Sequence, residues 1–341
     1  MNKKRLFGSI YTLNGYTNYG NRLQLFALSK TLKKMGKETV VYWPKNIKQR
    51  IKYLVKFWTP LALLYPKERK LKRFSKKYTP KCSNKLQKVA IIGSDQVWNP
   101  KYLATRQYLL DAPRCAEIIS YAASVGRERL TEKEMSVFSR ALKKYDAISV
   151  REKSAKNLLQ PLVTDKKIEV VLDPTLLLDE AEYAKLEKRP KDVRNDEKYV
   201  LCYILGDQNH LEVVKKYANK GKLRIITFSD RRDSNYGVEE FLYLVHHAEL
   251  ICTDSFHACV FSFIFDRPFV VFKRSGKENY MYTRLQNLLD TFNLKDREYN
   301  GKEITNTDTL VDYTKAKKIL AVEKKKSIDF LRGALDVENR K

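Results

Sequence analysis

Leu250-Ile251-Cys252-Thr253-Asp254-Ser255-Phe256-His257-Ala258 opens on four strand-forming residues, turns polar at Asp254-Ser255, and runs on as an almost wholly apolar segment to Phe265. Pro268–Phe272 then returns to strand-forming residues. A short apolar strand, a buried helix and a second apolar strand make a βαβ pattern, with parallel strands covered on both faces. Ser255 can cap the helix, which puts His257 in its first turn beside N–H groups that lack intrahelical partners. Asp, Ser and His at the start of a buried helix are costly unless they bind or react. This loop is therefore the leading candidate for a site.

The same alternation extends in both directions. Tyr199–Leu205 and Leu223–Phe228 read as further strands, with helices at Asn209–Asn219 and Val238–Ala248. Toward the N-terminus, Leu6–Tyr11, Thr39–Trp43, Val89–Ile92, Glu117–Tyr121, Ala147–Val150 and Glu169–Leu172 read as strands, and Arg22–Met35 as a helix stopped by Gly36. The polar stretch Ala181–Lys198 connects two halves, residues 1–180 and 199–341, and Asp312–Leu335 forms a basic terminal helix assigned to the second. A chain of 341 residues suits two domains, each with its own core. The expected fold is α/β: two Rossmann-like domains facing a cleft.

Open α/β sheets bind ligands at the carboxyl ends of their strands, so the loops after strands hold the candidate residues. In Asn18-Tyr19-Gly20-Asn21, Gly20 permits close backbone approach, while Asn18 and Asn21 suit either a ligand at the helix start or an N-cap. In Gly93-Ser94-Asp95-Gln96-Val97-Trp98-Asn99-Pro100, the side chains of Ser94, Asp95, Gln96 and Asn99 offer hydrogen bonds beside the Trp98 ring, as a sugar requires. A capped helix start with Trp98 packed in the core explains the same residues. Arg151, at the end of a strand, carries a planar fork suited to carboxylate or phosphate, with a salt bridge to Glu152 or Asp173 as the alternative. No GxGxxG indicates a dinucleotide cofactor, and no grouping along the chain has metal-ligand spacing. His246 and His247 fall late in a helix, where a dipole or core role suffices.

Composition narrows the setting. The five cysteines are scattered and odd in number, which fits reduced thiols better than a disulfide framework. The N-terminus lacks the apolar length of a signal peptide, and no run approaches the ~18 apolar residues of a membrane span, so a cytoplasmic location is expected. The net charge of +27 is uneven: residues 45–88 carry fifteen Lys/Arg and one acid, Glu68, interleaved with aromatic and aliphatic residues. That pattern is expected as a basic helical insertion in the first domain, either packed on its own domain or docked on the anionic inner face of the plasma membrane. No recognised nucleic-acid motif accompanies the charge, so nucleic acid is not an expected partner.

Six segments together, Asn18–Asn21, Gly93–Pro100, Ser120–Gly126, Val150–Ser154, Leu172–Thr175 and Thr253–Ala258, resemble the polysaccharide pyruvyl transferase family in order and spacing. The resemblance implies a GT-B-like pair of domains, with an acceptor side in residues 1–180 and a donor side in 199–341. It implies transfer of a pyruvyl group from phosphoenolpyruvate to a sugar, free or lipid-linked, of a cell-surface polysaccharide, with no further cofactor. By position it assigns the family's cleft arginine to Arg151 and its motif histidine to His257. Ser124, Asp254 and Ser255 join the substrate-binding candidates, as do Lys273 and Lys277 for a family lysine downstream of the histidine. The alternatives are a GT-B glycosyltransferase using a nucleotide sugar and a basic carbohydrate- or lipid-binding protein without activity.

Overall fold

A computed structural model of the chain describes residues 6–44, 55–57, 64–113, 115, 117–206, 209–228, 235–274 and 282–336. In the first half, β1 (Gly8–Tyr11), β2 (Thr39–Tyr42), β3 (Cys82–Ser83), β4 (Val89–Ile92) and β5 (Glu117–Ser120) form a parallel sheet in the order β3-β2-β1-β4-β5. The parallel pair β6 (Ile148–Val150) and β7 (Ile168–Val170) continues beside β5 through single bridges, Ile119 with Ala147 and Ala123 with Val150. The second half holds β8 (Tyr199–Tyr203), β9 (Arg224–Thr227), β10 (Leu250–Thr253) and β11 (Phe269–Val271), all parallel, in the order β11-β10-β8-β9. The α/β reading holds in both halves, since runs such as Val89–Ile92 and Leu250–Thr253 are buried at every residue.

Each sheet contains one point where the strand order reverses: between β1 and β4 in the first, and between β8 and β10 in the second. The loops that leave such neighbouring strands diverge and open a crevice at the carboxyl end. Those four loops include three of the motifs singled out in the sequence.

The expectation of two separate cores does not hold. One apolar core runs from Ile10, Leu23 and Phe26 of the first half to Leu201, Phe241 and Phe261 of the second, with smaller clusters beside it. The cause is the helix Tyr19–Lys34, which is buried on every side from Tyr19 to Ser29. A helix buried all round is an interior element rather than a surface one. Its first residue is planted in the other half: the Tyr19 ring stacks on Phe241 at 5.3 Å, and its hydroxyl donates to the Tyr236 carbonyl at 3.1 Å.

The terminal helix, Thr314–Leu335, also departs from its assignment to the second half. Ser327 Oγ accepts from the Leu172 N–H at 2.9 Å, and Phe330 lies against Tyr121, so the helix returns to the first half while packing on the helix Tyr282–Phe292. The basic stretch is corrected as well. Residues 45–54 and 58–63 lie outside the described residues. Pro66–Tyr78 is a helix, but Cys82–Ser83 already belongs to the sheet, so no helical insertion reaches 88. Leu71 and Phe74 of that helix are buried, with Phe74 against Phe26, and Lys70 pairs with Glu240. Its apolar stripe is covered by the protein itself. Among the described residues no helix is long and apolar enough to cross a membrane.

Candidate active site

The carboxyl ends of β1, β4, β8 and β10 converge on a cavity of about 420 Å³, a size within the range of small-ligand sites. The first half supplies Asn18, Asn21, Asp95, Gln96 and Arg106 to its wall, and the second half Ser255, Phe256, His257, Arg274 and Arg284. Asn18 caps its helix by accepting from the Asn21 N–H at 2.8 Å. Asn21 Nδ2 in turn donates to Asp95 Oδ2 at 2.9 Å, which ties the β1 loop to the β4 loop across the reversal point. Asp95 has a φ of 76°, an uncommon left-handed conformation for a residue with a side chain. Backbone strain of this kind concentrates at binding sites.

His257 occupies the first turn of the helix Phe256–Ile264, as the sequence predicts, and is largely buried. Ser255 stands at the N-cap position without a side-chain capping bond. Its N–H instead donates to Thr253 Oγ1 at 3.0 Å. Gly20 explains how the imidazole fits: a Cβ at that position would lie 1.9 Å from His257 Nδ1. The close approach that Gly20 permits is therefore made by a histidine of the other half. Among the described residues His257 Nε2 has no hydrogen-bond partner, and it lies 3.8 Å from Asp173 Oδ2, too long for a hydrogen bond but within ion-pair reach.

Asp173 organises the buried side of the site. It accepts from Arg151 Nη1 at 2.6 Å, from Ser94 Oγ at 3.0 Å, and from the N–H and hydroxyl of Thr175 at 3.0 and 2.6 Å. Burial works against its charge, but His257 and Arg151 outweigh burial and hold the carboxyl well below the usual carboxylate range. Arg151 thus makes the salt bridge that the sequence left as its alternative. Its guanidinium lies over the Phe256 ring at 4.4 Å and faces a neighbouring cavity instead of the one that His257 lines. Burial opposes its charge too, and Asp173 and Glu152 raise its pKa.

The cations of the cleft itself are others. Arg274 Nε lies 3.0 Å from Asp254 Oδ2, and the same carboxylate accepts the N–H groups of Leu205 and Gly206 at 2.8 and 2.7 Å. Asp254 is a buried anchor for the loop after β8. Arg284 is lowered to about 10, first by burial and then by Arg151. Asp95 and Glu152 oppose that lowering, and a bound anion would act in the same direction as those acids.

Several expected ligands to substrate prove to be architecture. Trp98 is fully buried, donates from Nε1 to the Leu109 carbonyl at 3.1 Å and packs edge-on against Phe138 and Tyr145, so no sugar can stack on it. Asn99 caps the short helix Pro100–Leu103 by accepting from the Lys101 N–H at 3.0 Å. Ser124 donates to Glu152 Oε1 at 2.8 Å beneath the surface. Lys273 pairs with Glu298 at 2.5 Å and is not on the cleft wall, while Lys277 lies outside the described residues. The residues that sequence reasoning missed are Arg106, Arg274, Arg284 and Asp173 as a site residue. Arg274 had a signal, since it stands two residues after the strand-like Pro268–Phe272; Arg284 had none among so many basic residues.

A sequence model described as polysaccharide pyruvyl transferase matches residues 18–276. No curated protein matches. Among solved structures, the chain is similar to a glycosyltransferase from Rickettsia africae ESF-5, with 13% identity, a TM-score of 0.44 and 98% of each chain covered. It is similar also to a UDP-GlcNAc 2-epimerase from Methanocaldococcus jannaschii, with 14% identity, a TM-score of 0.43, and 92% of this chain and 98% of that one covered.

Proposed function

The chain belongs to the polysaccharide pyruvyl transferase family, and from that premise we propose that it transfers a pyruvyl group from phosphoenolpyruvate to a sugar, forming a ketal across two hydroxyls. The observation that carries this reading is the gathering of Arg106, Arg274, Arg284 and His257 around one cavity at the carboxyl ends of both sheets. Phosphoenolpyruvate presents a phosphate and a carboxylate, and planar guanidinium groups bind both by paired hydrogen bonds. Asn18, Asn21, Asp95 and Gln96, from the first half, line the same cavity with the kinds of polar group a sugar acceptor needs.

The reaction requires three events at the donor. The methylene carbon takes a proton and becomes a methyl group, which leaves the adjacent carbon cationic. One sugar hydroxyl attacks that carbon and loses its proton. The bond to the phosphate oxygen then breaks, phosphate leaves with the electron pair, and the second hydroxyl closes the ketal and gives up its proton. One of the two released protons restores the proton first consumed, and the other leaves with phosphate. His257 is the group suited to give and take these protons, with the Asp173 carboxylate 3.8 Å behind it.

The test is to incubate the protein with phosphoenolpyruvate and a panel of sugars, following inorganic phosphate by ³¹P NMR and the ketal methyl group by ¹H NMR. Phosphate and ketal appearing in equal amounts is the expected result. Turnover of a nucleotide sugar, with phosphoenolpyruvate untouched, would overturn it in favour of a glycosyltransferase.

A further inference from the structure

At the far end of the Phe256–Ile264 helix from His257, a nine-residue span of about 13 Å by helical rise, three side chains from two distant segments meet. Glu187 Oε1 lies 2.6 Å from His246 Nδ1, and Glu187 Oε2 lies 3.2 Å from His247 Nε2. The three ligand atoms all fall within 4.8 Å of one another. Both rings are held in place by stacking, His246 on Phe265 at 4.3 Å and His247 on Tyr243 at 4.2 Å. The Glu187 side chain is only 11% exposed between them. Burial disfavours its charge, but the two histidines prevail and hold it below the usual carboxylate range.

A fourth group adds the detail that distinguishes this cluster from an ordinary ion pair. Glu180 Oε1 lies 3.5 Å from His246 Nε2, on the ring edge opposite Glu187. When an ion takes the place of the Nδ1 hydrogen, a carboxylate there accepts the proton on Nε2 and holds the ring in the metal-binding tautomer. Metal-binding histidines are regularly oriented by such a carboxylate behind the ring. We propose that Glu187, His246 and His247 bind one divalent transition-metal ion, zinc by ligand type, with water completing the coordination. Two imidazole nitrogens and one carboxylate suit zinc, whose tetrahedral ligands stand about 3.4 Å apart at bond lengths of about 2.1 Å. The 3.2 Å pair already matches that spacing, and the 2.6 Å pair opens as the ion displaces the hydrogen that now joins His246 to Glu187. Glu187 follows the helix Glu180–Ala184 on the segment connecting the two halves, whereas His246 and His247 end the helix layer of the second sheet. The ion therefore staples the connector to the second half. Its role is stability rather than chemistry in the cleft.

Isothermal titration of the chelator-treated full chain with zinc chloride tests this, with thermal unfolding as a second readout. The wild type should take up one equivalent and unfold at a higher temperature when loaded. His246→Ala and Glu187→Gln should each lose that equivalent, and Glu180→Gln should keep it with ~10–100-fold weaker affinity. Circular dichroism of the metal-free variants checks that they fold, with His247→Ala as a further variant if one does not. No uptake by the wild type would overturn the proposal. So would uptake that survives His246→Ala and Glu187→Gln unchanged, or that disappears only when the exposed thiol is removed in Cys82→Ser.

Discussion

Two cavities of about 420 Å³ flank Phe256 and Arg284, and they differ in how their charges are answered. The wall that Arg151 lines carries four basic residues, Arg151, Lys153, Arg284 and Lys326, and four acids, Glu152, Asp173, Asp290 and Glu323, with Arg151 paired to Asp173 and Lys326 to Glu323. The other wall gathers three arginines, Arg106, Arg274 and Arg284, beside one acid, Asp95, with Asp254 behind Arg274. Equal size thus separates nothing, and charge separates the two. A wall with as many acids as bases has no net demand for an outside charge, whereas one that gathers three arginines beside a single acid favours an anionic ligand.

The largest expected effect lies at His257. His257→Ala should lower turnover by roughly 10²–10⁴-fold with the fold retained, measured as phosphate release beside circular dichroism. Full activity would reduce the cleft to a binding site. Next is Gly20→Ala, whose new methyl group overlaps the imidazole and must displace it. Misplacement by about 1 Å can cost ~10²-fold, so turnover should fall while donor affinity changes little. Equal losses in both would mean that Gly20 contacts substrate instead. Arg284→Met should weaken donor binding by ~10–100-fold, as expected for one charge-assisted contact worth about 1.5–3 kcal/mol, and calorimetry reads it directly. The smallest effect belongs to the balanced cavity: Lys326→Met should move donor affinity by less than ~3-fold, within the ~0.5 kcal/mol of ordinary surface changes. A large loss there would erase the distinction between the two cavities.

Much of this was legible in the chain because the βαβ pattern fixes where polar loops emerge. Val89–Ile92 and Leu250–Thr253 declare themselves as buried strands, and the loops after them hold Asp95 and His257. What stayed hidden depends on packing between distant segments. Nothing near Gly20 says that the approaching group is a histidine 237 residues later in the same chain. Trp98 reads equally as a sugar platform or as core, and only the fold puts Phe138 and Tyr145 around it. Arg151 likewise stands at a strand end as a cleft arginine would, yet Asp173 takes it. The separation of His246 from Glu187 along the chain concealed their meeting in the same way.

The central claim is that the arginine-rich wall of the His257 cleft binds phosphoenolpyruvate, and protection from thermal unfolding tests it most directly. The wild type and the Arg284→Met and Lys326→Met variants would be melted with saturating phosphoenolpyruvate and, separately, with UDP-glucose. The account predicts that phosphoenolpyruvate raises the unfolding temperature of the wild type and of Lys326→Met, and raises that of Arg284→Met far less. Protection by UDP-glucose without protection by phosphoenolpyruvate, or protection by phosphoenolpyruvate that is indifferent to Arg284, would contradict it.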